Sequence, residues 1–222
     1  MSMFTRVAGA AMAVALAAAP AAAAPSAVDL VFYGPYLAKL SDGSELNYHF
    51  ARTADDPKLD PSFEDSVKLR VAPDGKAEAV IVDLFSDKRA YSIGPIARSG
   101  NPVVIAVLEN DIREMQKVLG GSPYYMRNRI MDAIRAGEQV EATTFDYDGR
   151  SVEGWKVTLK PFLRDQNRDK LGAYADRTYE ITFSEGVPGG LYALKSVTPK
   201  SGGDKPLLVE ELTLQPGAET KK

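Results

Sequence analysis

"NPVVIAVLENDIREMQKVLGGSPYYMRNRIMDAIRAG", residues 101–137, is a pair of helices with its start and stop signals included. Asn101 can cap the first helix, and Pro102 suits its first turn. Val104, Leu108, Ile112, Met115 and Leu119 recur at helical spacing until Gly120-Gly121 ends the run. Ser122 and Pro123 restart the pattern, and Gly137 follows its end. Met126, Ile130, Ala133 and Ile134 form one apolar stripe of this second helix. At about 1.5 Å per residue the helices would run about 27 Å and 21 Å. The short link between them predicts an αα-hairpin over about 102–136, and each helix has an apolar face to bury.

Almost everything on either side reads as strand. "SVKLRV" sets Val67, Leu69 and Val71 against Ser66, Lys68 and Arg70. "GWKVTLK" and "RTYEITFS" alternate in the same way, the mark of an antiparallel sheet with one wet face. Asp42-Gly43, Asp74-Gly75 and Asp148-Gly149 supply the positive φ angles of tight turns, and Gly189-Gly190 and Gly202-Gly203 mark two further reversals. Strands are expected near 29–40, 45–52, 64–71, 76–85, 89–93, 140–147, 152–160, 177–184, 190–198 and 206–214. A long antiparallel sheet twists and curls, and its hollow side needs filling. The expected fold is therefore mainly β (α+β). It is a curved antiparallel sheet or incomplete β-barrel of about nine or ten strands, with the αα-hairpin on its concave side or mouth.

The first residues read differently. Arg6, the apolar run "VAGAAMAVALAAA" and the small-residue tract "PAAAAPSA" have the form of a signal peptide, with cleavage expected after Ala23. Residues 24–222 would then form one β-rich domain, exported to the periplasm, with no membrane span. The chain has no Cys, which removes disulfides, thiolate metal sites and Cys nucleophiles together. A formal charge of −3 with no basic run argues against nucleic acid as a partner.

Chemistry-bearing motifs are sparse. His49 is the single histidine, on the outward parity of its strand, so neither a His-based triad nor a His-ligated metal is expected. Asp165, Asn167 and Asp169 have the alternate spacing of a calcium loop. Lys170 stands where such loops need Gly, so a solvated connector is preferred and a metal site is the alternative. Arg127 and Arg129, with Tyr125, could receive an anion or a partner's carboxylates; pairing of Asp132 with Arg129 or Arg135 is the plainer reading. Asp83, interrupting an apolar run, is the acid that could point inward. No catalytic set and no cofactor motif stands out.

The stretches "NPVVIAVLENDIREMQKVLGGSPYYMRNRI", "KPFLRDQNRDKL" and "YEITFSEGVPGGLYAL" resemble a family of exported proteobacterial proteins with no assigned activity. That resemblance implies an envelope location and brings no catalytic residues. More loosely, strands curled about a helical plug are similar to the periplasmic lipoprotein-carrier architecture, a likeness carried by no motif. The functional expectation is a non-enzymatic periplasmic protein binding an apolar or amphipathic molecule, such as a lipid, between sheet and hairpin. Val104, Leu108, Met115, Met126 and Ile130 would line the site. The alternatives are an interaction module for another envelope protein, and a carboxylate-based hydrolase needing two inward acids in a cleft.

Overall fold

A computed structural model describes residues 24–72, 79–137, 139–200, 202–217 and 220–221. The leader at 1–23 and the Asp74-Gly75 turn lie outside the described residues. Strands β1 (Ser44–Ala54), β2 (Phe63–Val71), β3 (Ala79–Leu84) and β4 (Tyr91–Ala97) precede helices α1 (Pro102–Leu119) and α2 (Pro123–Ala136). After them come β5 (Gln139–Tyr147), β6 (Arg150–Leu159), the short α3 (Arg168–Leu171), β7 (Thr178–Phe183), β8 (Leu191–Thr198), β9 (Leu208–Leu214) and the two-residue β10 (Thr220–Lys221). The strands form one curved, unclosed antiparallel sheet in the order β4-β3-β2-β1-β9-β8-β7-β6-β5, with β10 pairing beside β1.

This order explains the helices. The chain leaves β4 at one edge of the sheet and must re-enter at β5, the other edge. Eight inter-strand steps of about 4.8 Å separate those edges, roughly 38 Å along the sheet. The hairpin bridges that gap across the enclosed face: α1 lies against β3 and β8, and α2 against β6. Its apolar stripes pack into the same core as the inward parity of the strands, including Leu46, Tyr48, Phe50, Val67, Leu69, Val82, Val157 and Ile181. The Asn101 side chain accepts a hydrogen bond from the Val104 backbone N–H at 3.3 Å and donates to the Gly189 carbonyl at 3.2 Å, fixing where α1 begins. Asp148 and Gly149, at φ 50° and 71°, close the β5–β6 hairpin as expected.

One expected strand is absent. Residues 29–40 fold as a helical turn, Asp29–Tyr33, followed by a 3-10 turn, Tyr36–Lys39. The Ser26 hydroxyl accepts from the Asp29 N–H and donates to the Asp29 carboxylate, which starts the turn, and Gly34-Pro35 separates the two pieces. A short apolar run without strict alternation suits either state, so tertiary contacts decide. Leu30, Val31, Tyr36 and Leu37 are buried, and the Tyr36 ring stacks on Phe183 at 6.2 Å. Asp42-Gly43 therefore leads a helical segment into β1 and closes no hairpin.

Candidate ligand cavity and the ionic cluster under the first helix

The five residues expected to line a ligand, Val104, Leu108, Met115, Met126 and Ile130, are all buried in the packed core. None of them lines the cavities described here. Space opens instead along the flank of α1. A cavity of about 450 Å³ lies between Asn110, Arg113, Glu114 and Lys117 of α1 and a patch of β1, β2 and the β3–β4 connector.

Its floor is aromatic. Phe63, Phe85 and Tyr91 line it, with Phe63 and Phe85 edge to face at 5.5 Å and Phe50 4.9 Å behind Phe85. Phe85 sits at φ 63°, an uncommon conformation for an aromatic residue that turns its ring into this cluster. The Tyr91 hydroxyl donates to Asn110 at 3.2 Å, and burial pushes its pKa up to about 12 despite the nearby Arg113 charge. The rim is cationic. Arg113 lies over the Tyr91 ring at 4.5 Å and Arg89 over Phe63 at 4.2 Å, with Lys88 and Lys117 beside them.

Behind the cavity lies a buried ionic cluster. Arg52, which also lines the cavity, donates from Nη1 to Glu210 Oε1 at 2.5 Å. Glu210 Oε2 accepts from Arg177 Nη2 at 2.5 Å, and the Arg177 fork closes on Asp111 of α1 at 2.6 and 3.0 Å. Arg177 Nη1 donates to Thr198 at 2.6 Å, the Ser196 hydroxyl shares Nη2 at 2.8 Å, and the Tyr179 hydroxyl donates to Asp111. Arg177, Asp111, Glu210 and Arg52 are between 1 and 4 % exposed. Burial pushes the Asp111 carboxyl up to about 6, over the opposing pull of Arg177 and with the Glu210 charge adding to the rise. Burial also works against the Glu210 carboxylate, but two guanidinium groups outweigh it and hold that carboxyl below its usual range. The cluster joins α1 to β1, β8, β9 and the start of β7. Asp111 and Glu210 are two inward acids, but Arg177 bridges them and neither lines a described cavity, so they offer no acid–base pair to a substrate.

None of the four was singled out from sequence, although their spacing is compatible with an inward position. Arg52 follows Leu46, Tyr48 and Phe50, Arg177 precedes Tyr179 and Ile181, Glu210 alternates with Leu208 and Leu212, and Asp111 falls on the Val104–Leu108–Met115 stripe. A polar residue at the end of an inward stripe can equally face water, so the signal needed the helix in place.

The other singled-out residues have specific partners. Arg127 forms a two-pronged pair at 2.5 Å with Glu109, tying α2 to α1. Arg129 reaches Asp132 at 3.5 Å and Asp165 at 4.0 Å. The Tyr125 hydroxyl donates to Asp165 and accepts from Asn167 Nδ2 at 3.0 Å. Tyr125 and Arg129, read as an anion contact, thus meet Asp165 and Asn167 of the expected calcium loop in one polar junction, while Arg127 stays with Glu109 and Asp169 is exposed on α3. Among the described residues no three His, Cys, Asp or Glu side chains gather as a metal ligand set. Asp83 faces outward, paired with Arg70 at 2.5 Å, and His49 lies 3.8 Å from Glu64 on the outer face.

A second, larger space, about 1090 Å³, is an open groove on the far side. Tyr33, Tyr36 and Trp155 line it with Asp29, Glu153, Glu185 and the edge-strand residues Ala142, Thr143 and Thr144. No described helix is long and apolar enough to cross a membrane.

No protein-family model and no curated protein sequence matches the chain. Among solved structures, the crystal structure of the lipoprotein LppX of Mycobacterium tuberculosis aligns with 77% of this chain and 84% of its own at 15% identity. The TM-score of that alignment is 0.32, too loose to transfer a site.

Proposed function

We propose that this chain is an exported, non-enzymatic periplasmic binding protein, released by cleavage near Ala23, that holds an amphipathic small molecule between α1 and the β1–β4 half of the sheet. The observation that carries this reading is the 450 Å³ cavity with its aromatic floor of Phe63, Phe85 and Tyr91 under a polar rim. That volume falls within the roughly 300–1,000 Å³ of small-molecule sites, which combine apolar walls with a few placed polar groups. The ligand's apolar body would lie on the rings and its polar end would face the rim. The reading predicts that protein purified from the periplasm yields a bound small molecule on native mass spectrometry and solvent extraction. It also predicts that the neutral fluorophore N-phenyl-1-naphthylamine binds, and that Glu114→Trp, which fills the mouth, abolishes this binding. No extractable ligand together with no fluorophore binding would end it.

A second reading, a contact with another envelope protein, is favoured by β5. That strand is a sheet edge nine residues long, and its outer side borders the acidic groove. An extended partner segment would add a strand there. A photo-crosslinker at the exposed position Thr144 should then give one discrete adduct in cells, and none from a control position on α3. A featureless smear from both positions would count against it.

A further inference from the structure

The rim of the α1 cavity is not merely polar. It carries five basic side chains, Arg52, Lys88, Arg89, Arg113 and Lys117, against two acids, Asp60 and Glu114. The chain as a whole is net acidic, so this is a local reversal of sign. Lys117 is held by Glu114 at 2.6 Å, and Arg89 reaches Asp65 at 3.9 Å. Lys88 and Arg113 have no carboxylate partner among the described residues. Arg52 lines the cavity as well: of its guanidinium only Nη1 donates to Glu210, and Nε is buried with no hydrogen-bond acceptor. The guanidinium groups of Arg89 and Arg113 are anchored over Phe63 and Tyr91, which limits their freedom and leaves N–H edges for a ligand.

Building on the cavity proposed above, we infer that the polar end of the ligand is an anion, a carboxylate, phosphate or sulfonate, received by Lys88, Arg113 and Arg52. The ligand class is then an amphipathic anion: an aromatic or acyl body on the rings, with the charge at the α1 rim. Neutral amphipaths of the same body bind more weakly. An acidic lipid and a free acyl or aryl acid present the same chemistry to this rim.

The test compares two fluorophores that share an arylamino-naphthalene body, neutral N-phenyl-1-naphthylamine and anionic 8-anilinonaphthalene-1-sulfonate, titrated into the purified protein at low and high salt. The expected result is that the sulfonate binds at least about tenfold more tightly at low salt, an advantage that shrinks as salt screens the rim. Lys88→Gln with Arg113→Gln, both exposed and away from the core, should remove that advantage, read as the ratio of the two probes' affinities for the same protein. Unaltered melting of the double variant shows that it is folded. Dodecyl phosphate should displace the sulfonate where inorganic phosphate at the same concentration does not, and equal displacement by both would overturn the inference. If the neutral probe binds and the sulfonate is no tighter, or the double variant binds it as well as the parent, the anion is refuted and the cavity stands. If neither probe binds, the cavity reading itself fails and takes this inference with it.

Discussion

Replacing Arg177 by Met tests whether α1 is clamped to the sheet by charge. Methionine keeps much of the apolar stem but none of the donors that reach Asp111, Glu210, Ser196 and Thr198. Glu210 retains Arg52, whereas Asp111 loses the cation bonded to it and keeps the hydroxyl of Tyr179. Removing one partner of a buried pair costs about 3–5 kcal/mol, because the other charge is left uncompensated. For a domain of this size each kcal/mol moves the melting temperature by about 2–4 °C, so a fall of roughly 6–20 °C is expected. The loss must also depend on pH. Burial already pushes the Asp111 carboxyl up to about 6, and without Arg177 it rises further. A carboxyl whose folded pKa exceeds its unfolded value binds more protons when folded, so its contribution to stability falls as pH rises through that window. The deficit should be near its full size at pH 8 and clearly smaller at pH 5. Urea unfolding followed by circular dichroism at both values measures it for parent and variant. Adding Asp111→Leu should recover much of the loss, since an apolar pair removes the stranded charge. A deficit under about 1 kcal/mol at pH 8, or one unchanged at pH 5, would refute the clamp.

Three further outcomes follow from the same contacts. Asn101→Ala removes both the α1 cap and the bond to Gly189, and should cost about 1–2 kcal/mol in a denaturant melt. Gly190→Ala should be at least as damaging, by about 1–3 kcal/mol: φ is +75° and a Cβ would meet the Tyr36 ring at 2.1 Å. Arg127→Ala, which breaks the part-exposed pair with Glu109, should cost less than about 1 kcal/mol and lose its effect in high salt. The contrast with Arg177 separates a buried from a solvated ion pair.

Periodicity in the chain was enough to place the hairpin, nine strands and the wet and dry faces of the sheet, because each of these follows from neighbours a few positions apart. It failed at 29–40, where a short apolar run carries no period and packing on Phe183 and the 189–190 turn selects the helical form. The α1 residues it offered as ligand lining, Val104, Leu108 and Met115, are packed in the core. The stripe Val104–Leu108–Met115 is apolar because it is core, while the cavity is lined by the flanking Asn110, Arg113 and Lys117, which carry no motif.

What the tertiary structure alone decided is pairing at long range. Asp111 and Arg177 are 66 positions apart, and Arg52 and Glu210 are 158 apart. A charged residue on an inward parity has two fates, water or a partner, and local spacing is the same for both. Only when the sheet curls and α1 closes over it does each charge lose water, and the free energy of leaving it unpaired then selects the partner.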